Sequence, residues 1–311
     1  HGNAIYLYNN DTVARSFAVT GNEVFDFQKN GITANAFDNT ALTVNISGNN
    51  VTGAGVLFDF DGAPAQNGIQ VYSALGGTIT GAVDGNTISG IGWDNSTTTG
   101  TKWVATSILD YYTAVDVTNN VIPDCQVGVY KFGATGLIND NDITVNLIGV
   151  ASWGIIATDP PNAAPQPAID IDLSRVAPKR RALLTVLVDG NDVAFSGQGD
   201  TATFGIEADA GFDAADLDVT ITNNTVTGFE VGVDIYQSTS NTGVFTNVAV
   251  NQNDLAGNDI GVRSNVDYLT VDATCNWYGD VDGPFEAALN PGSAGSAVVG
   301  DVAYSPWLDA P

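Results

Sequence analysis

Glu207, Asp234 and Arg263 each stand two residues after a glycine (Gly205, Gly232 and Gly261), and a β-type alternation follows each glycine. Side chains at one shared offset line up when such units stack. Glu207 and Asp234 would then sit roughly 5 Å apart at the backbone on neighbouring strands. A carboxylate pair at that range suits cleavage of a glycosidic bond, one acid giving a proton and the other stabilising charge. With Gly128 and Gly149 as further reference points, Tyr130 and Ala151 take the same offset of two, and Phe132, Trp153, Asp209, Tyr236 and Asn265 take an offset of four. One exposed sheet would thus carry aromatic rings (Tyr130, Phe132, Trp153, Tyr236), then acids, then Arg263. Aromatic faces of this kind stack on sugars, so polysaccharide is the ligand class they suggest. The plain alternative is a solvated face in which Arg263 offsets nearby acids, with little effect on stability.

Basic catalysts are scarce. A polysaccharide lyase needs a base near the sugar C5 and a group that neutralises the uronate. The chain has one His, His1, and a Lys base could come only from Lys131 or from a segment over 157–182 that holds Lys179. That segment contains five of the eleven prolines together with Arg175, Lys179, Arg180 and Arg181. It reads as a long basic excursion, suited to an acidic partner such as another copy of this chain, or to a uronate polymer. Copper at His1 lacks a second imidazole. Asp140, Asp142, Asp280 and Asp282 sit in short acid clusters that could bind Ca²⁺ through oxygen ligands, although they match no EF-hand loop and Asp is also a turn former.

Composition narrows the classes. There are 35 acids against 9 Lys and Arg, a formal net charge of −26, and only four of the acids are Glu. So negative a surface repels nucleic acid and anionic membranes, and cations or high salt should favour the compact state. With 35 Gly, abundant Asn and only 14% charged residues, the chain suits many turns better than long surface helices. No apolar run is long enough for a membrane span. There is no Met, even at position 1. That suggests a processed or excised segment and an extracellular home. Cys125 and Cys275 are expected to be packed thiols several coils apart, beyond disulfide reach.

A repeat supplies the elements that would position these groups. Segments beginning at Asn120, Asn141, Asn224 and Asn253 share an Asn, an aliphatic residue two positions on, and an aliphatic-Gly-aliphatic triplet centred on Gly128, Gly149, Gly232 and Gly261. Looser copies begin at Asn22, Asn50, Asn86 and Asn191, and a truncated one at Asn276. Strand-like alternation precedes most of them, as in Leu42-Thr-Val-Asn-Ile46 and Leu217-Asp-Val-Thr-Ile221. Each unit is too short to bury its own apolar face and needs a neighbour on either side. Stacked Asn side chains can bond from coil to coil, and Gly permits a positive φ at the second corner. The expected fold is all-β, a right-handed parallel β-helix of about nine coils and on the order of 40 Å long, forming one domain over residues 1–311.

With those repeats in place, the chain resembles the parallel β-helix repeat superfamily, which includes pectate-lyase-like enzymes and bacterial surface proteins. The ending carries the most specific likeness: Cys275-Asn-Trp-Tyr-Gly-Asp-Val-Asp-Gly-Pro284 and then Val302-Ala-Tyr-Ser-Pro-Trp-Leu308. It is similar to the Asn-Trp-Trp-Gly…Gly-Pro…Ser-Pro-Trp-Leu ending of secreted bacterial β-helix proteins. The resemblance implies fold and secretion, and a capping role for 276–311 in which Trp277, Tyr278 and Trp307 cover the last coil while Pro284 and Pro306 block further pairing. It transfers no activity, because the superfamily holds lyases, hydrolases, epimerases and non-catalytic adhesins. The first expectation is an extracellular, non-catalytic module, adhesive or filament-forming, that binds polysaccharide or Ca²⁺ or stacks on itself through Ile5-Tyr-Leu-Tyr8. The second is a carbohydrate-active enzyme using Glu207 and Asp234, or a lyase or epimerase using Lys179.

Overall fold

The structure is a computed structural model that describes residues 2–37, 39–58, 65–73, 76–94, 103–146, 151–158, 166–167, 183–197, 202–210, 216–237 and 243–311. Its described regular elements are all β, arranged as a right-handed parallel β-helix. Three long sheets, here A, B and C, run along it with 11, 10 and 7 strands. One coil contributes one strand to each: Asn30–Ala36 to sheet A, Ala41–Ser47 to sheet B and Asn50–Phe58 to sheet C. Pairing between coils in these sheets is parallel throughout.

The corner between sheets B and C explains why the chain keeps this pitch. Asn49, Asn86, Asn120, Asn141, Asn191, Asn224, Asn253 and Asn276 are all buried. Each side-chain Oδ1 accepts both the backbone N–H and the Nδ2 of the Asn one coil earlier, beginning with Asn22, at 2.8–3.1 Å. The residue before each Asn turns the chain left-handed: Gly21, Gly48, Gly85 and Gly190, or Asn119, Asp140, Asn223, Gln252 and Cys275, with φ between 53° and 67°. Gly, Asn and Asp tolerate that region best, which is why they crowd these corners. In the second coil the ladder residue is Asn49, not Asn50, whose side chain is exposed. Two residues on, Val51, Ile88, Ile122, Ile143, Val193 and Val226 point inward at 0% exposure.

The expected glycine column exists, with one correction. Gly128 lies beside Gly154, since Val127 pairs with Trp153 and Val129 with Ile155. Gly149 lies outside the described residues, and Gly154 takes its expected place. The physical reason for glycine also differs from the expectation. None of Gly31, Gly68, Gly128, Gly154, Gly205, Gly232 and Gly261 has a positive φ. A Cβ on Gly128 would come within 2.6 Å of the Gly154 carbonyl oxygen and of Ile143. The backbones approach too closely to admit a side chain.

The interior is a continuous aliphatic stack, with Val129, Ile155, Ile206, Val233 and Val262 in one row at 0% exposure. Burying each such side chain stabilises by roughly 1.5–3 kcal/mol. At the far end, Leu308 N–H donates to the Asn276 carbonyl and Cys275 N–H to that of Pro306. Trp307 lies against Gly283, and Tyr278 is buried in the core. Cys125 and Cys275 are both free thiols.

Candidate functional site

Sheet A brings the expected acid row together. Glu207 pairs in register with Asp234, and Asp234 with Arg263. Strand alternation directs all three outward, because Ile206, Val233 and Val262 between them fill the core. Asp234 is held by a two-pronged ion pair, with Arg263 Nε donating to Oδ1 at 2.9 Å and Nη2 to Oδ2 at 2.8 Å. Trp153 Nε1 donates to Glu207 Oε2 at 2.8 Å. The Trp153 ring stacks on Phe204 with centroids 5.6 Å apart, and the Arg263 guanidinium, two coils further on, lies 5.4 Å from the Phe204 ring centroid.

This face is not the open surface the sequence suggests. Glu207 is 7% exposed and Asp234 2%. Burial, followed by the nearby Asp234 charge, raises the Glu207 pKa to about 8, against the lowering effects of the Trp153 hydrogen bond and Arg263. Tyr130 and Phe132 are also buried, in an outer apolar cluster with Tyr72, Tyr111, Leu109 and Ile156. Phe132 stacks on Tyr111 at 4.5 Å, and Tyr130 meets Phe132 edge-on. Val104 joins that cluster, and its strand Trp103–Val104 pairs with Gln166–Pro167, the one described piece of 159–182. Ala157 and Thr158 belong to the sheet A strand Ser152–Thr158, so the excursion starts later than expected. Of the expected sugar-stacking rings only Tyr236 is exposed, at 40%.

Trp153 reaches the acid row by a different route from the one expected. It stands one residue before its column glycine, not four after, in register with Val127 and Phe204. Phe204 itself was not anticipated. The signal was present: Trp153-Gly-Ile155 and Phe204-Gly-Ile206 are matching aromatic-Gly-Ile triplets.

Lys131 is not available as a base. It occupies an inward position opposite Asp110 on the preceding coil, and Nζ donates to Asp110 Oδ2 at 2.5 Å and to the carbonyls of Val115 and Thr135 at 2.6 and 3.2 Å. Lys179 lies outside the described residues, as does His1. Asp140 serves as a left-handed corner residue, and Asp142 is exposed on the next strand. Asp280 accepts the N–H groups of Asp282 and Ala294, which lower its pKa, so its carboxylate shapes the loop between them. Among the described residues no group of three or more His, Cys, Asp or Glu is placed to hold a metal ion.

The exposed broad face is sheet B. Its outward rows are mostly small and polar, with Thr43, Asn45, Thr80, Asp116 and Thr185 open to solvent, and are interrupted by the exposed Leu183 and Leu187. Sequence alternation marked these strands but gave no reason to prefer sheet B over sheet A as the open side. No family model, curated protein or solved structure matches the chain.

Proposed function

We propose that this chain is a non-catalytic structural module of the cell exterior, a self-supporting β-helix within the parallel β-helix repeat superfamily. One observation carries the reading. The described residues expected to do acid–base chemistry are each engaged: Asp234 by both prongs of Arg263, Glu207 by Trp153, and Lys131 inside the solenoid. The all-parallel architecture and the Asn276-Trp-Tyr-Gly…Ser305-Pro-Trp-Leu ending support the superfamily and, with it, secretion. A mostly polar, base-poor sheet B fits a hydrated outer wall, where high charge keeps rods apart. Polysaccharide or Ca²⁺, if bound, would meet the protein there.

A glycosidase is the second reading, favoured by the adjacency of Glu207 and Asp234 and by a Glu207 pKa near 8 that keeps it protonated at neutral pH. The test is incubation with uronate and neutral polysaccharides, following new reducing ends and unsaturated products. No turnover by the native chain is expected. Turnover abolished by Glu207→Gln or Asp234→Asn would replace the structural reading with the enzymatic one.

A further inference from the structure

The two ends of the solenoid differ chemically. At the first coil, Asn3–Asn9, Arg15–Thr20 and Glu23–Val24 are the outermost strands of sheets A, B and C, so three backbone edges end together. Their inward side chains Ile5, Leu7 and Phe17 pack on the core yet remain only partly buried, whereas Ile32, Ala34 and Val44 directly beneath are at 0–1% exposure. The asparagine ladder has a direction. Each Oδ1 receives two donors from the coil before it, so Asn49 receives Asn22. The Asn22 Oδ1 stands first in the row and receives no described donor, and its Nδ2 reaches back to the Thr20 carbonyl.

We propose that the first coil is a docking end for one further coil of parallel β-structure, presented with its C-terminal edge open and an Asn at its corner. The ladder's direction selects this occupant. Asn22 offers an acceptor, so the incoming corner must bring a backbone N–H and an amide Nδ2, while its inward aliphatic side chains cover Ile5, Leu7 and Phe17. A second copy of this chain fits poorly at either end. Head to head, two Asn22 acceptors would face each other. Head to tail, the last coil is closed by Leu308 and Pro306, which bond to Asn276 and Cys275. The net charge of −26 opposes both pairings. This inference holds whether or not the lateral faces bind a ligand.

The test inserts a copy of residues 3–29 between Gly2 and Asn3 of the full chain, a length set by the register Asn3↔Asn30. Hydrogen exchange and urea unfolding are then compared with the native chain. The expected result is a slowing of at least ~10-fold in exchange of the amides of Asn3–Asn9 and Arg15–Thr20 that face away from the next coil, with a higher unfolding midpoint. A second insert carries Ala in place of its corner Asn and should protect distinctly less. The proposal is overturned if exchange in Asn3–Asn9 is unchanged, or if the Ala insert protects as well as the first. It is equally overturned if the native chain dimerises in sedimentation and Ile5→Asp abolishes the dimer, since the end would then serve self-association.

Discussion

Lys131 and Asp110 face each other on adjacent coils inside the solenoid, their Nζ and Oδ2 atoms 2.5 Å apart and both side chains at 0–1% exposure. The pair survives burial because its remaining bonding capacity is met. Lys131 also donates to two backbone carbonyls, and the Thr113 hydroxyl donates to the other Asp110 oxygen. Removing one partner strands a buried charge. Lys131→Met is expected to cost about 3–5 kcal/mol in urea unfolding, and Lys131→Met with Asp110→Leu to recover most of that loss. A double variant as unstable as the single would show that the ion pair itself supplies net stability.

The ladder should weaken unevenly along its length. Asn120→Ala removes the acceptor of two buried donors on Asn86 and the Nδ2 donor to the Val83 and Thr118 carbonyls and to Asn141 Oδ1. A loss of roughly 3 kcal/mol or more is expected, at about 1–3 kcal/mol for each buried group left unpaired. Asn22→Ala, at the open end, should cost about 1 kcal/mol, because it strands no donor from an earlier coil. Equal losses at the two sites, read from urea midpoints, would contradict a directional ladder.

Close backbone approach makes a matching claim for the glycine column. A Cβ on Gly205 would lie 2.2 Å from Val226 Cγ1 and 2.5 Å from the Gly232 carbonyl oxygen, whereas one on Gly292 meets nothing within 4 Å. Gly205→Ala is therefore expected to destabilise by about 1–3 kcal/mol or more, and Gly292→Ala to leave thermal unfolding nearly unchanged.

Glu207 gives a pH signature. Its folded pKa, about 8, lies above the usual carboxylate value, so the folded state holds this proton more tightly than the unfolded chain. Its contribution to stability is full below the unfolded pKa and declines as pH rises from about 4.3 through about 8. Glu207→Gln keeps a neutral, hydrogen-bonding side chain. The variant should gain stability relative to the native protein steadily across that window and level off above it, as read from melting temperatures over a pH series. A constant difference across the series would place an ordinary, ionised carboxylate at this site.

Much of the fold was legible because stacking imposes a phase. The Asn, the aliphatic residue two positions later and the glycine recur in step, since a coil that loses step loses its bonds to both neighbours. Where the sequence misled, local likeness competed with that phase. Asn50 competes with its neighbour Asn49 for the ladder position, although only Asn49 has an aliphatic residue, Val51, two places on. Ile148-Gly149-Val150 resembles the other triplets more closely than Trp153-Gly154-Ile155 does, because both neighbours of its glycine are aliphatic.

The sequence alone determined the coil, its ladder and the row Glu207–Asp234–Arg263, because these follow from periodicity along one chain. Tertiary structure decided which sheet faces water and which positions turn inward. In its middle coils sheet A carries aromatic and apolar residues on both sides, so alternation there gives no sign of its outer face. Only the three-dimensional packing buries Tyr130, Phe132 and Glu207 there. Lys131 is the sharpest case: a charge in a strand reads as outward, and only the Asp110 carboxylate one coil away, 21 positions earlier in the chain, makes its inward position tolerable.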